Sequence, residues 1–226
     1  MLVELYGRQI DLGPRPSGLA RRRWSGELSP EPETVAWIES LPTGASFYDI
    51  GASVGTFSVR AAVRGLRVTA FEPVTRNFSE LCDVMRRNLL PVDAHCLALY
   101  SSVGRGVLEP GRSKHTYRPD ASTTAPACVA TTLDIFVEVD ARYPPDYIKL
   151  DVDGNELEIL AGGTHSFSRA RGALIEVDPV VPGHAGIPDI MRRWGFTFDP
   201  AQVEACRYTS GKYKGTANYI FYREGP

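Results

Sequence analysis

Two spacings of apolar residues alternate along most of the chain. Short continuous apolar runs, bounded by turn formers, read as buried strands. Apolar residues recurring three and four apart read as helices. SFYDIG (46–51), RVTAFE (67–72), DAHCLAL (93–99), YIKLD (147–151) and ALIEV (173–177) are of the first kind. The helical spacing covers Val35, Ile38 and Leu41 from Pro30 onward, with Ser29 as a cap. It returns in Val54, Phe57, Ala61 and Ala62, and in Phe78, Leu81, Cys82, Met85 and Leu89 after a Thr75 cap. A short helix is expected near 132–139, another over 154–161 stopped by Gly162-Gly163, and another through Ile187, Ile190, Met191 and Trp194. FTFD (196–199) and NYIFYR (218–223) read as two last strands.

Strands alternating with helices require right-handed crossovers and a mostly parallel sheet, so the fold class is α/β and doubly wound, with seven strands. The link between the last two strands shows no helical pattern. They are therefore expected to pair as a hairpin, which makes the final strand antiparallel. Residues 1–29, punctuated by Gly and Pro and carrying Arg21-Arg22-Arg23, read as an arm or lid. Residues 30–226 read as a single domain with a variable segment at 100–130, where GRGVLEP supplies one edge strand and the rest is polar.

Composition narrows the field only slightly. The chain has 226 residues, 43% hydrophobic, with a net charge of −2, so nothing draws it as a whole toward nucleic acid or anionic lipid. Cys82, Cys96, Cys128 and Cys206 have neither disulfide-framework nor metal-ligand spacing and read as reduced thiols. The first residues do not read as a leader, so none is expected, and no run is long enough for a bilayer-spanning helix to be expected. A cytoplasmic protein without a membrane partner is expected. Its oligomeric state is left open, a homodimer being compatible.

Chemistry concentrates at Asp49-Ile50-Gly51-Ala52-Ser53-Val54-Gly55, between the first strand and its helix. Gly51 permits a tight turn beneath a ligand, and Gly55 permits close packing. The amides of residues 53–57, including Ser53, Thr56 and Phe57, open a helix N-terminus suited to a carboxylate. Glu72, 21 residues after Gly51, ends the second strand, where it can accept from both ribose hydroxyls, and Pro73 stops the strand. A dinucleotide site wants Gly-x-Gly-x-x-Gly to approach a pyrophosphate. Here the spacing is Gly-x-x-x-Gly, and Asp49 suits a ligand with a free amino group. A nicotinamide-dependent dehydrogenase is thereby disfavoured.

FYDIGASVGTFSVRAA, VTAFEPVTRNFSELCDVMRRN, TLD (132–134) and YIKLDVDGNELEILAGG together resemble the FkbM family of methyltransferases, in order and spacing over 47–178. The resemblance implies a Rossmann-like class I methyltransferase fold with S-adenosyl-L-methionine as cofactor and S-adenosyl-L-homocysteine as product. It further implies a small-molecule acceptor with a hydroxyl on a sugar or secondary metabolite. Asp49, Gly51 and Gly55 would hold the methionine portion and Glu72 the ribose, while Asn77 stands where the family often has a polar residue. Ser53 stands where the family usually has Asn. On the third strand, neither Leu99 nor Tyr100 offers an acid or amide to adenine.

The acceptor is expected beyond the fourth strand, at an edge carrying Lys149, Asp151, Asp153 and Glu156. Alternation puts Lys149 and Asp151 on one face, where two buried charges are costly unless paired or used. Asp153-Gly154-Asn155-Glu156 also reads as a capping box. His115, in the irregular segment with Lys114, Tyr117 and Arg118, is the first candidate for a general base, and His184 is the second. No metal is expected, a bridge between Asp151 and Asp178 being the weaker option. Methylation of nitrogen on an amino sugar or peptide, and a non-catalytic cofactor-binding protein, are the remaining readings.

Overall fold

A computed structural model describes residues 1–25, 31–110, 115–119, 127–141 and 143–223. The Ser29 cap, Pro30 and Lys114 lie outside these residues, as does the side chain of His115. The chain divides into two compact units, Met1–Cys96 and Leu97–Pro226.

The first unit opens with β1 (Leu2–Leu5), β2 (Arg8–Asp11) and α1 (Gly18–Trp24). It continues with α2 (Pro32–Ser40), β3 (Ser46–Ile50), α3 (Thr56–Val63), β4 (Arg67–Phe71), α4 (Thr75–Asn88) and β5 (Val92–His95). β3, β4 and β5 are adjacent and parallel, with Ile50 opposite Phe71 and Phe71 opposite His95. β3 is buried throughout, which explains why its sequence does not alternate. Thr75 is the first helical residue of α4 rather than its cap, the cap position being Val74 without a side-chain bond.

The first residues are more ordered than their sequence suggests. β1 and β2 form an antiparallel hairpin, and Leu5, Ile10 and Leu12 join Val59, Val84 and Leu90 in one buried cluster. Each such side chain contributes roughly 1.5–3 kcal/mol by leaving water. Asn88 docks the hairpin: its amide nitrogen donates to the Asp11 carbonyl at 3.0 Å, and its oxygen accepts from the Asp11 amide at 2.8 Å.

The second unit holds β6 (Ala98–Leu99), β7 (Gly104–Pro110), β8 (His115–Pro119), β9 (Ala127–Thr131), α5 (Leu133–Val139), β10 (Tyr147–Leu150), α6 (Glu156–Gly162) and α7 (Thr164–Arg169). After them come β11 (Gly172–Val177), α8 (Ile187–Arg193), β12 (Thr197–Phe198), α9 (Pro200–Cys206) and β13 (Ala217–Tyr222). β10 and β11 are parallel. β13 runs antiparallel to both β11 and β12, with Ala217 opposite Val177. The chain leaving β10, the chain leaving β11 and the chain entering β13 therefore share one edge. The main sheet has seven strands, mostly parallel, as the alternation predicts.

Three expectations change. The link before the last strand contains helix α9, started by Asp199, whose side chain accepts from the Ala201 amide, and by Pro200 at its first position. The expected strand 93–99 is two elements: β5 ends at His95, and β6 belongs to a separate four-stranded sheet ordered β6-β9-β7-β8. The segment 100–130 thus contributes β7, β8 and β9 rather than a single edge strand. Among the described residues, no helix is long and apolar enough to cross a membrane.

Candidate active site

In the first unit the turn after β3 is built around two left-handed glycines, Gly51 at φ 86° and Gly55 at φ 85°. The amides of Gly51 and Ala52 both donate to the Phe71 carbonyl at 3.0 Å, fixing the turn to the end of β4. A Cβ on Gly55 would lie 2.3 Å from Cδ1 of Leu81. The close approach that needs this glycine is therefore to α4, not to a strand. Gly55→Ala is expected to cost about 2–4 kcal/mol, combining a left-handed Cβ with overpacking. Urea unfolding measures that cost, and a loss below about 1 kcal/mol would show that α4 simply yields.

Glu72 ties the turn to the second strand tip. Its Oε2 accepts from the Ser53 amide at 2.8 Å, and its Oε1 from the Val74 amide at 2.9 Å and from Asn77 Nδ2 at 3.5 Å. Asn77 thus joins the Ser53 and Val74 amides in donating to this carboxylate, and Pro73 follows it directly in the chain. Ser53 adopts φ 52°, so its backbone rather than its side chain does this work. The first intrahelical bond of α3 runs from the Val59 amide to the Gly55 carbonyl, so the amides ahead of it have no carbonyl within the helix to donate to. Thr56, the first residue of that turn, has a buried Oγ1 without a hydrogen-bond partner among the described residues. A buried hydroxyl is rarely left unmatched, so the turn fits a ligand carboxylate in reach of Thr56 and Phe57, and Glu72 fits a ribose.

Asp49, expected beside a ligand amino group, is engaged by the protein itself. It is fully buried and accepts from the Ser58 hydroxyl at 2.6 Å, which ties α3 to β3. At the tip of the third strand, the residue to consider is His95 rather than Leu99 or Tyr100. His95 stacks on Phe71 with ring centroids 5.6 Å apart, and its carbonyl accepts from the Glu72 amide.

In the second unit Lys149 Nζ lies 3.1 Å from Asp151 Oδ2, both side chains being at least nine-tenths buried. Asp151, Asp153 and Glu176 can bring one carboxylate oxygen each within 4.8 Å of one another. The third member of this group is Glu176 of β11, not the Asp178 considered from the sequence. Asp178 instead accepts from the Val180 amide at 2.9 Å.

Glu156 does not close a capping box. Asn155 occupies the cap position without a side-chain bond, and the Glu156 carboxylate turns back to accept from the Val152 and Gly154 amides at 3.0 and 2.8 Å. It thereby shapes a loop in which Asp153 adopts φ 61°. His184 packs against this loop: its Nδ1 accepts from the Asp178 amide at 3.3 Å, and its Nε2 lies 3.1 Å from Glu156 Oε2 in a geometry that makes no hydrogen bond. Only 1% exposed, His184 is packed inside the protein between two strand-end loops, its Nε2 buried and without a hydrogen-bond partner among the described residues, so it presents no open base at this edge. β8 braces the same loop, since Thr116 Oγ1 donates to the Asp153 carbonyl and the Tyr117 amide to Asn155 Oδ1. His115 starts β8, opposite Pro110, and only its backbone is described.

Comparison with known proteins bears on this geometry. Residues 49–198 match the family described as the methyltransferase FkbM domain, more than half of the chain. A hexuronic acid methyltransferase, AglP of Haloferax volcanii, is 28% identical over 151 residues, covering 66% of this chain and 60% of that protein. The chain thus spans less than two thirds of that relative's length. Among solved structures, a magnesium protoporphyrin IX methyltransferase from Synechocystis PCC 6803 with bound SAM superposes with a TM-score of 0.56 at 16% identity. That match covers 94% of this chain and 86% of the other. A precorrin-6y C5,15-methyltransferase from Geobacter metallireducens gives 0.53 at 12% identity, covering 86% and 87%. At such identities the likeness speaks for the fold.

Proposed function

Because this chain belongs to the FkbM methyltransferase family, whose cofactor is S-adenosylmethionine, we propose that it methylates a hydroxyl oxygen of a sugar or secondary metabolite. The observation carrying this reading is the Glu72 carboxylate bonded to the Ser53 amide. It brings the glycine turn and the acid-ended strand side by side, which supports their acting on one adenosyl ligand. Glu72 would hold the ribose, and the first turn of α3 with Thr56 the carboxylate of the methionine portion. When bound, the cofactor supplies a methyl group made electrophilic by its sulfonium.

The acceptor end belongs to the second unit. A hydroxyl oxygen attacks well only if its proton has somewhere to go, and a carboxylate in hydrogen-bond reach supplies that place. Asp151 takes this role, with Lys149 fixing the orientation of its carboxylate, and the Glu156 bonds to the Val152 and Gly154 amides keep the loop in one conformation. Asp153 and Glu176 surround the position with negative charge. They disfavour an acceptor carboxylate as the reacting group and favour a neutral hydroxyl.

The same charge would welcome the amine of an amino sugar or peptide, which keeps nitrogen methylation as the second reading. Transfer of labelled methyl to methyl glucoside, glucuronic acid, glucosamine and a short peptide separates the cases. An alkali-stable ether on a sugar hydroxyl is the expected product. An alkali-labile ester or a methylated amine would replace the hydroxyl assignment, and cofactor binding without any label transfer would favour a silent binder.

A further inference from the structure

The edge carrying Asp151 and Asp178 is flanked by one more segment, the loop between α9 and β13, which the methyl-transfer chemistry does not use. Its ends are tied: the Tyr208 amide donates to the Thr216 carbonyl at 3.0 Å and the Gly215 amide to the Tyr208 carbonyl at 2.8 Å. Arg207 cannot act as a free cation here. Its Nη2 is 2.7 Å from Glu204 Oε1, and its Nη1 donates to the Gly215 carbonyl at 2.7 Å. Tyr208 and Tyr213 pack with ring centroids 5.7 Å apart. Gly215 adopts φ 92°, and a Cβ there would lie 2.8 Å from Cγ of Pro179, so the loop lies directly against the residue after Asp178. At its base the Thr216 hydroxyl is buried and has no hydrogen-bond partner among the described residues.

This closed loop displays two exposed lysines. Lys212 leans over the Tyr213 ring at 4.7 Å, and neither Lys212 nor Lys214 has a carboxylate partner among the described residues. Elsewhere on the same edge the charge is negative: Asp151, Asp153 and Glu176. The two lysines are opposite in sign to these acids, and charges of opposite sign around a site would fix the orientation of an acceptor bearing one anionic group as well as its affinity.

We propose that the loop 207–216 binds an oxyanion on the sugar acceptor, a carboxylate or phosphate ester, through Lys212 and Lys214. The anion is thereby held away from the acids, and a hydroxyl is left facing Asp151. This rests on the methyltransferase reading above and adds to it the charge class of the substrate.

Glucuronic acid, glucose 1-phosphate and methyl glucoside, each titrated by NMR into protein saturated with S-adenosylhomocysteine, provide the test. Glucuronic acid and glucose 1-phosphate are expected to shift amides within 207–216, and methyl glucoside to leave them in place. The Lys212→Ala/Lys214→Ala variant should bind the two anions about tenfold more weakly, since each exposed ion pair contributes up to about a factor of five. Lys212→Arg/Lys214→Arg should restore binding, and S-adenosylhomocysteine affinity should be unchanged in both. The three sugars binding alike, the alanine variant matching wild type, shifts confined to other residues, or no anion binding would each overturn the proposal. A response to only one of the two anions identifies which oxyanion the acceptor carries. Loss of cofactor binding by the wild-type chain would instead sink the methyltransferase reading and leave the anion titration standing on its own.

Discussion

Replacing Glu72 by Ala is expected to weaken S-adenosylmethionine binding about a hundredfold in calorimetry, and S-adenosylhomocysteine binding by the same factor. Both ligands present the same two ribose hydroxyls, and a hydrogen bond to a carboxylate contributes about 1.5–3 kcal/mol. Two such bonds, less what water returns, leave about 3 kcal/mol. The substitution also strips the Ser53 and Val74 amides of their acceptor, so the glycine turn loses its anchor. Glu72→Gln separates these effects, because an amide oxygen can still accept from Ser53 while the charge is gone. It should fall between wild type and alanine. Unchanged affinity in a Glu72→Ala protein that still unfolds cooperatively would remove this acid from the cofactor site.

The junction of Ser53 with Glu72, on which this candidate site rests, was legible because its signals are local. The turn from Asp49 to Gly55 and the acid at the tip of the next strand lie within one strand–helix–strand unit, where spacing alone fixes their proximity. The core strands were legible for a related reason: β3, β10 and β11 are almost wholly buried and appear as short, mostly apolar runs, each interrupted by a single charged residue. What escaped depends on partners remote in sequence or on weak patterns. The approach of His184 to Glu156 brings two loops together, and no spacing rule connects them. Asn88 looks like an ordinary helix end until the hairpin it docks is seen. α9 buries only Val203, too little to leave a periodic stripe. β9 does alternate, but it sits in a segment rich in turn formers and faces solvent on one side. The boundary between β5 and β6 fell inside one apolar run, and only pairing distinguishes a strand of the parallel sheet from one of its neighbours.

The second large effect concerns the buried pair in the other unit. Asp151→Asn is expected to lower turnover about 100- to 1,000-fold, the range general-base removal usually gives, while cofactor affinity stays within about twofold. Reduced turnover alone proves little. The substitution leaves the Lys149 ammonium, 1% exposed, without that carboxylate, and breaking a buried pair costs about 3–5 kcal/mol of stability. A loosened loop would slow the enzyme for reasons unrelated to proton transfer. Lys149→Met combined with Asp151→Asn resolves this, since it removes both charges and keeps the volume of each side chain. Neutral replacements of buried pairs are often tolerated, so the double variant should unfold within about 1 kcal/mol of wild type. If Asp151 accepts the proton, turnover stays as low as in Asp151→Asn despite the recovered stability. If the pair only holds the fold, turnover returns with stability, and the base must be sought on another group at this edge.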